Sequence, residues 1–319
     1  MAPTLAEIED AAALIHGVMP PTPQYCWPLL SARSGAETWV KHENHTPVGA
    51  FKIRGGILYM AELRRREPNL AGVIAATRGN HGQSIAFAAA RAGLASVIVV
   101  PQGNGREKNM AMQALGAELI EHGHDFQAAF EHAEALAAER RLHFVRSFEP
   151  ALVRGVASYG LELFRAVADL DAVYVPIGLG SGICATIAVR DALGLSTEVI
   201  GVVASGAPAY ALSFAAGHVV STNSADTIAD GMACRVPVAG AVEIIRRGAA
   251  RIVTVEDAEI RAAMRHYFTD THNLAEGAGA APLAALLQER QRMQGKRVAL
   301  ILSGGNVDRA LFAEILAEP

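Results

Sequence analysis

Short β-branched runs alternate with Ala-rich segments along most of this chain, and the two kinds of stretch carry different apolar periods. Runs at 73–76, 96–100, 173–176, 199–203, 251–255 and 298–302 are apolar at consecutive positions, which suits strands buried on both faces of a parallel sheet. Segments at 81–92, 107–115, 126–140, 182–193, 258–268 and 279–291 repeat apolar residues every three or four positions and read as helices. Strand, Gly-containing turn and helix therefore follow one another, the order of an α/β protein with doubly wound, mostly parallel sheets. Ahead of this pattern Thr4-Leu-Ala-Glu7 has capping-box spacing. It predicts a helix to about residue 15, which Gly17, Pro20, Pro21 and Pro23 end.

Composition narrows the partners. Of 319 residues, 51% are hydrophobic and 19% charged, enough to bury a large core and too apolar for a disordered chain. Lysine and arginine number 28 against 32 acids, a net charge of −4, so no basic field draws the chain to nucleic acid or an anionic membrane. Cys26, Cys184 and Cys234 are odd in number and widely spaced, which gives neither a disulfide framework nor a zinc pattern. A cytoplasmic protein with small-molecule partners, no nucleic acid and no membrane is expected. The loops after residues 76, 176 and 302 are all Gly-rich, and ligands of such sheets sit beyond the carboxyl ends of strands.

Three of these loops and one more segment carry candidate chemistry. After the strand at 173–176 come Gly178-Leu179-Gly180-Ser181-Gly182, a turn whose amides and following helix N-terminus suit a phosphate, although tight packing accounts for such a turn equally well. It lacks the lysine of a nucleotide P-loop, and the next strand ends in Val202, Val203 and Ala204 where a dinucleotide site would place an acid. Lys52 stands between Phe51 and Ile53. Such surroundings depress an amine's pKa and make it a nucleophile, while a solvated helix lysine is the plain alternative. Thr77-Arg78-Gly79-Asn80-His81-Gly82 offers amides to a carboxylate, or simply a cap at Asn80. Ser303-Gly-Gly-Asn306 repeats the strand, polar glycine turn and helix motif. His42, His45, His122 and His124 lack metal-ligand spacing and read as surface histidines. Arg246, Arg247 and Arg251, like Arg140 and Arg141, read as solvated faces.

Taken in order, the segments around Phe51-Lys52, Gly79-Asn80-His81-Gly82, Thr227-Ile-Ala-Asp230-Gly231, Glu276-Gly-Ala-Gly-Ala280 and Ser303-Gly-Gly-Asn306 resemble the fold-type II pyridoxal-phosphate enzymes, the family of threonine/serine dehydratases and serine racemases. The likeness spans almost the whole chain. It implies a tryptophan synthase β-like fold, with a large domain of residues 1–64 and 148–319 and a small mobile domain of 65–147, in a homodimer. It implies that Lys52 forms the Schiff base with pyridoxal 5′-phosphate beside Phe51, that Asn80 bonds the cofactor's 3-hydroxyl, and that Gly178, Leu179, Gly180, Ser181 and Gly182 hold its phosphate. Ser303 would face the pyridine nitrogen, Glu276 would lie in the cofactor site, and Thr77, Arg78, Gly79, Asn80 and His81 would surround the substrate carboxylate. The implied activity is dehydration with deamination of a β-hydroxy amino acid, threonine- or serine-like or 3-hydroxyaspartate-like, to a 2-oxo acid and ammonia.

The chain departs from the pattern at several positions. Arg78 replaces the residue that serves racemases as an acid/base opposite the lysine, and a guanidinium does not give up its proton. This lowers the racemase alternative and opens a second reading, in which Arg78 pairs with another anionic group on the substrate. Ala50 precedes Phe-Lys where Ser is common. Val203 and Ala209 supply no oxygen for the divalent cation of some relatives, so no metal is expected there. Gly155-Val-Ala-Ser158 differs from the usual Gly-Gln-Gly-Thr, which puts substrate contacts there in doubt. The chain ends soon after Asn306, an ending expected of an unregulated, catabolic form. Besides the racemase, a β-replacement enzyme and a non-catalytic binding protein compete with the dehydratase, and intact Lys52, Asn80 and Ser303 argue against the binding protein.

Overall fold

Val173 and Val175 turn to one face of their strand and Ala172 and Tyr174 to the other, and both faces are buried in separate apolar clusters. That consecutive apolar run is the local cause of the architecture, a sheet covered by helices on both sides. The computed structural model describes residues 3–318. Its strands are β1 (Gln24–Cys26), β2 (Glu37–His42), β3 (Gly72–Ala76), β4 (Ala95–Val100), β5 (Glu118–Glu121), β6 (His143–Phe144), β7 (Ala172–Pro176), β8 (Glu198–Ala204), β9 (Arg251–Val255) and β10 (Arg297–Leu302). They form a six-stranded sheet in the order β1-β2-β10-β7-β8-β9 and a four-stranded sheet in the order β5-β4-β3-β6. Every pairing is parallel except the short β1 against β2. In the smaller sheet Val73 and Ala75 join one core, and Ile74 and Ala76 the other. The α/β class with parallel-dominated sheets is thus as the pattern of the sequence requires.

Register brings distant segments to one edge. β10 pairs with β2 from Arg297 opposite Glu37 to Leu302 opposite His42, and with β7 on its other side. The carboxyl ends of β2, β7 and β10 therefore open together, and the polypeptide leaving each of them carries a candidate segment. The link persists beyond the strands. The Phe51 amide donates to the Ser303 carbonyl at 3.0 Å, the Gly305 amide to the Gly49 carbonyl at 2.9 Å, and Ala50 bridges Gly304.

Lys52 opens the helix Lys52–Arg66, which packs against the helices Asn80–Arg91 and Pro150–Ala166. The second crossing is made at glycine: a Cβ on Gly155 would lie 2.5 Å from the Arg54 carbonyl oxygen, and one on Gly55 2.8 Å from that of Leu152. Arg54, wholly buried, reaches out of this crossing. Its Nε donates to Glu43 Oε2 at 2.6 Å, its Nη1 to Glu162 Oε1 at 2.6 Å and to Ser158 Oγ at 2.9 Å. Lys41 Nζ donates to Glu162 Oε2 at 2.6 Å, completing a buried quartet of two cations and two anions. Burial alone would raise the Glu162 carboxyl, but Arg54 and Lys41 outweigh it and hold it at about 2. Ser158 is thus a structural partner of Arg54.

Several expectations need correction. The helix Pro150–Ala166 is hidden in the sequence pattern because Gly155 and Gly160 interrupt a segment whose 3.6 period is otherwise clear. The stretch at 279–291 is not one helix: Gly277–Gln288 ends and the short Arg290–Met293 follows. His42 is fully buried rather than at the surface. It accepts from Trp27 Nε1 at 3.0 Å, and burial pushes its pKa down to about 4. Arg251 is no solvated face either, since it pairs with Glu198 and Glu289 at 2.7 Å. The N-terminal capping box is present, with Thr4 and Glu7 opening the helix Leu5–His16.

Arg54→Ala would leave Glu43 and Glu162 buried beside one remaining cation. Removal of one partner from such a network costs about 3–5 kcal/mol, and urea unfolding monitored by circular dichroism should show a loss of that order. A change below about 1 kcal/mol would contradict the assignment of the quartet as the clasp of this crossing.

Candidate active site

Lys52 comes to the site because its helix starts where the 49–51 segment is hydrogen-bonded to 303–305. Its Nζ lies 3.0 Å from Ser181 Oγ and 5.2 Å from the centre of the Phe51 ring. No carboxylate pairs with it among the described residues, and burial pushes its pKa from 10.5 down to about 8. The amine is therefore far closer to its neutral, nucleophilic form at physiological pH than an ordinary lysine. Phe51 is fixed in turn by Tyr159, whose ring meets it edge-on at 6.2 Å.

The glycine turn faces this amine. Gly180 has φ +96°, a left-handed conformation that caps the helix Ser181–Ala192. A Cβ on Gly178 would lie 2.2 Å from the Gly231 carbonyl oxygen, so the turn can pass there only without a side chain. Two buried tyrosines brace it from behind: Tyr159 donates to the Gly182 carbonyl and Tyr210 to that of Leu179, both at 2.8 Å. The first amides of the helix have no intrahelical acceptor and stand free for an anion.

The third wall is the start of the helix Asn80–Arg91, beyond β3. Thr77 Oγ1 accepts from the amides of Gly79 and Gly82 at 2.9 and 3.3 Å, which orders the turn. The amides of Asn80 and His81 then open the helix without an intrahelical acceptor. The Asn80 side chain is held at both ends, its Nδ2 donating to Glu276 Oε1 at 2.7 Å and its Oδ1 accepting from Asn306 Nδ2 at 2.8 Å. His81 is buried, and burial first, then Lys52, keep its imidazole neutral with a pKa near 3. Glu276 is buried with Oε2 unpaired. Burial raises its carboxyl, Lys108 opposes, and its pKa settles at about 7.

Phe51, Lys52, the two glycine turns and Glu276 line a single cavity of about 510 Å³, with Tyr159, Tyr210 and Asn306 behind its walls. The residues to which the resemblance gives a place in the site border it: Phe51 and Lys52, Thr77 to His81, Gly178 to Gly182, Glu276 and Ser303; Gly82, Thr227 and Asn306 of the same motifs do not. Others were missed. Lys108 crosses to pair with Asp230, and Arg235 lies 3.8 Å from Asp125. Only Asp230 had a signal, in Thr227-Ile-Ala-Asp230-Gly231; the rest come from loops whose approach depends on the packing of the two sheets.

The donor set fits pyridoxal phosphate. A side-chain-free turn at a helix start meets a phosphate, an amine without an acidic partner meets an aldehyde, and the hydroxyl of Ser303 and amide of Asn80 meet a polar aromatic ring. Three comparisons agree. The L-threonine ammonia-lyase of Thermotoga maritima is 32% identical over 98% of this chain and 78% of its own. The processed form of threonine deaminase isoform 2 from Solanum lycopersicum superposes with a TM-score of 0.90 at 28% identity, over 100% of this chain and 95% of that one. Maize serine racemase gives 0.92 at 26%, over 98% and 97%. A family model described as pyridoxal-phosphate dependent enzyme matches residues 16–304. With so much of its length matched and with such a site, the chain belongs to the family of pyridoxal-phosphate dependent enzymes.

Proposed function

We propose that this enzyme removes water from a threonine- or serine-like β-hydroxy amino acid and releases a 2-oxo acid and ammonia. The observation that carries the reading is the Lys52 amine, unpaired with any acid among the described residues, facing the glycine turn within one cavity. When bound, pyridoxal phosphate supplies the electron sink that makes the Cα–H bond acidic.

The protein's own groups do the rest. Lys52 would hold the cofactor, and its free amine would take the Cα proton at Nζ. Ser181 accepts from that nitrogen and fixes where it points. The turn Gly178 to Gly182 holds the phosphate, Asn80 the ring hydroxyl, and Ser303 the ring nitrogen. A neutral hydroxyl there withdraws less charge than a carboxylate-held proton would, which favours elimination over amino transfer. Thr77, Gly79, Asn80 and His81 receive the α-carboxylate, and Glu276 keeps Asn80 oriented. The β-hydroxyl would leave with the proton taken from Cα, departing as water, and the released enamine would take up one water on hydrolysis to the 2-oxo acid and ammonium.

Residues 65–147, which include the smaller sheet, form the mobile domain in this proposal and close upon residues 1–64 and 148–319 to exclude water. The enzyme is taken as a cytoplasmic homodimer. Three unpaired cysteines and the exposed Tyr25 and Leu29 support that. A racemase would need a second proton donor on the face opposite Lys52, and Arg78 does not supply one.

Incubation with serine, threonine and threo-3-hydroxyaspartate should give 2-oxo acid and ammonia in equal amounts from at least one, and Lys52→Ala should lower that rate by roughly a thousandfold or more. Accumulation of the opposite enantiomer without 2-oxo acid would make it a racemase instead. The depressed Lys52 pKa has its own consequence. Uptake of pyridoxal phosphate by cofactor-free protein, followed by absorbance, should accelerate with pH as the amine loses its proton and level off above about 8. A rate still climbing toward 10.5, the ordinary lysine value, would contradict it.

A further inference from the structure

Of the cations that line the cavity, Arg78 alone has neither a partner nor a place in the cofactor site. Lys108 is taken by Asp230 and Arg235 by Asp125, while Glu276 is held by Asn80 and Lys52 is claimed by the cofactor. Arg78 borders the same cavity, is exposed, and has no hydrogen bond or carboxylate partner among the described residues. It directly precedes Gly79, the residue from which the helix Asn80–Arg91 starts.

An arginine beside a carboxylate cradle usually serves that cradle, but here the cradle is already furnished. The α-carboxylate has the open amides of Asn80 and His81 at the helix start, in a turn that Thr77 Oγ1 orders through Gly79 and Gly82. A planar guanidinium with five free donors next to it is matched in shape and charge to a second carboxylate. We infer that Arg78 reads an anionic group on Cβ of the substrate, so that the preferred substrate is a β-hydroxy dicarboxylic amino acid of the 3-hydroxyaspartate type. The inference rests on the dehydratase reading and narrows it. Of the acids that border the cavity, Asp230 is paired with Lys108 and Asp125 lies beside Arg235, while burial raises the Glu276 carboxyl toward its neutral form.

The test uses the holoenzyme and two independent readouts. The first is the ratio of kcat/KM for threo-3-hydroxyaspartate to that for threonine. Arg78→Met should lower this ratio roughly ten- to a hundredfold, the loss expected for a charge-assisted pair, mainly through KM. Arg78→Lys, which keeps the charge without the fork, should recover part of it. The second readout is calorimetric binding of succinate against butyrate, two unreactive four-carbon acids that differ by one carboxylate. The wild type should bind succinate at least tenfold more tightly, and Arg78→Met should erase the difference. If turnover of both amino acids is absent, the dehydratase reading fails while succinate binding still decides the role of Arg78. A ratio that stays within twofold in Arg78→Met, or succinate bound no better than butyrate by the wild type, overturns the inference. An equal loss for threonine and 3-hydroxyaspartate does so too, because it returns Arg78 to the common α-carboxylate.

Discussion

The 3.0 Å contact between Lys52 Nζ and Ser181 Oγ joins two segments that the chain keeps 129 positions apart. It forms only if the helix that begins at Lys52 starts at one particular place. Three constraints set that place. The hydrogen bonds from 49–51 to 303–305 tie the loop after β2 to the loop after β10. The crossing at Gly55 and Gly155 lets the helix Lys52–Arg66 lie backbone to backbone on Pro150–Ala166. The buried quartet of Lys41, Glu43, Arg54 and Glu162 then locks that crossing. Since four buried charges lacking good partners would cost more than they return, the geometry tolerates little drift, and the reactive amine two residues before Arg54 inherits that rigidity.

Electrostatics around the amine follow a division of labour. The chain has four lysines, at 41, 52, 108 and 296. Lys41 is bound to Glu162 and Lys108 to Asp230, while Lys52 alone combines burial with the lack of an acidic neighbour. Pairing suppresses nucleophilicity and desolvation promotes it, so the fold selects one amine for chemistry. In the proposed reaction the anionic ends of the cofactor and substrate would meet helix N-termini instead of lysines, at Ser181 and Asn80.

Much of this was legible in the sequence because parallel strands and the turns after them are local patterns. The runs at β3, β4, β7, β8, β9 and β10 announce themselves as consecutive apolar residues, and each functional turn follows one of them or opens a helix. Short strands such as β1 and β6 carry too few residues for any period. Pro150–Ala166 was obscured because its glycines serve a close crossing that only the tertiary structure reveals. His42 looked like a surface residue because nothing nearby in sequence discloses Trp27 as its donor. Lys108 and Arg235 belong to the site through pairs across the cavity, with sequence separations of 122 for Lys108 with Asp230 and of similar order for Arg235 with Asp125. Long-range pairing of that kind leaves no trace in a linear pattern.

The central claim is that one amine, on Lys52, carries the cofactor. Borohydride reduction of the purified holoenzyme followed by proteolysis and mass spectrometry tests it most directly, because only four lysines compete for the label. A phosphopyridoxyl group is expected on Lys52 and on no other lysine. Label on Lys41, Lys108 or Lys296 with Lys52 unmodified would contradict it.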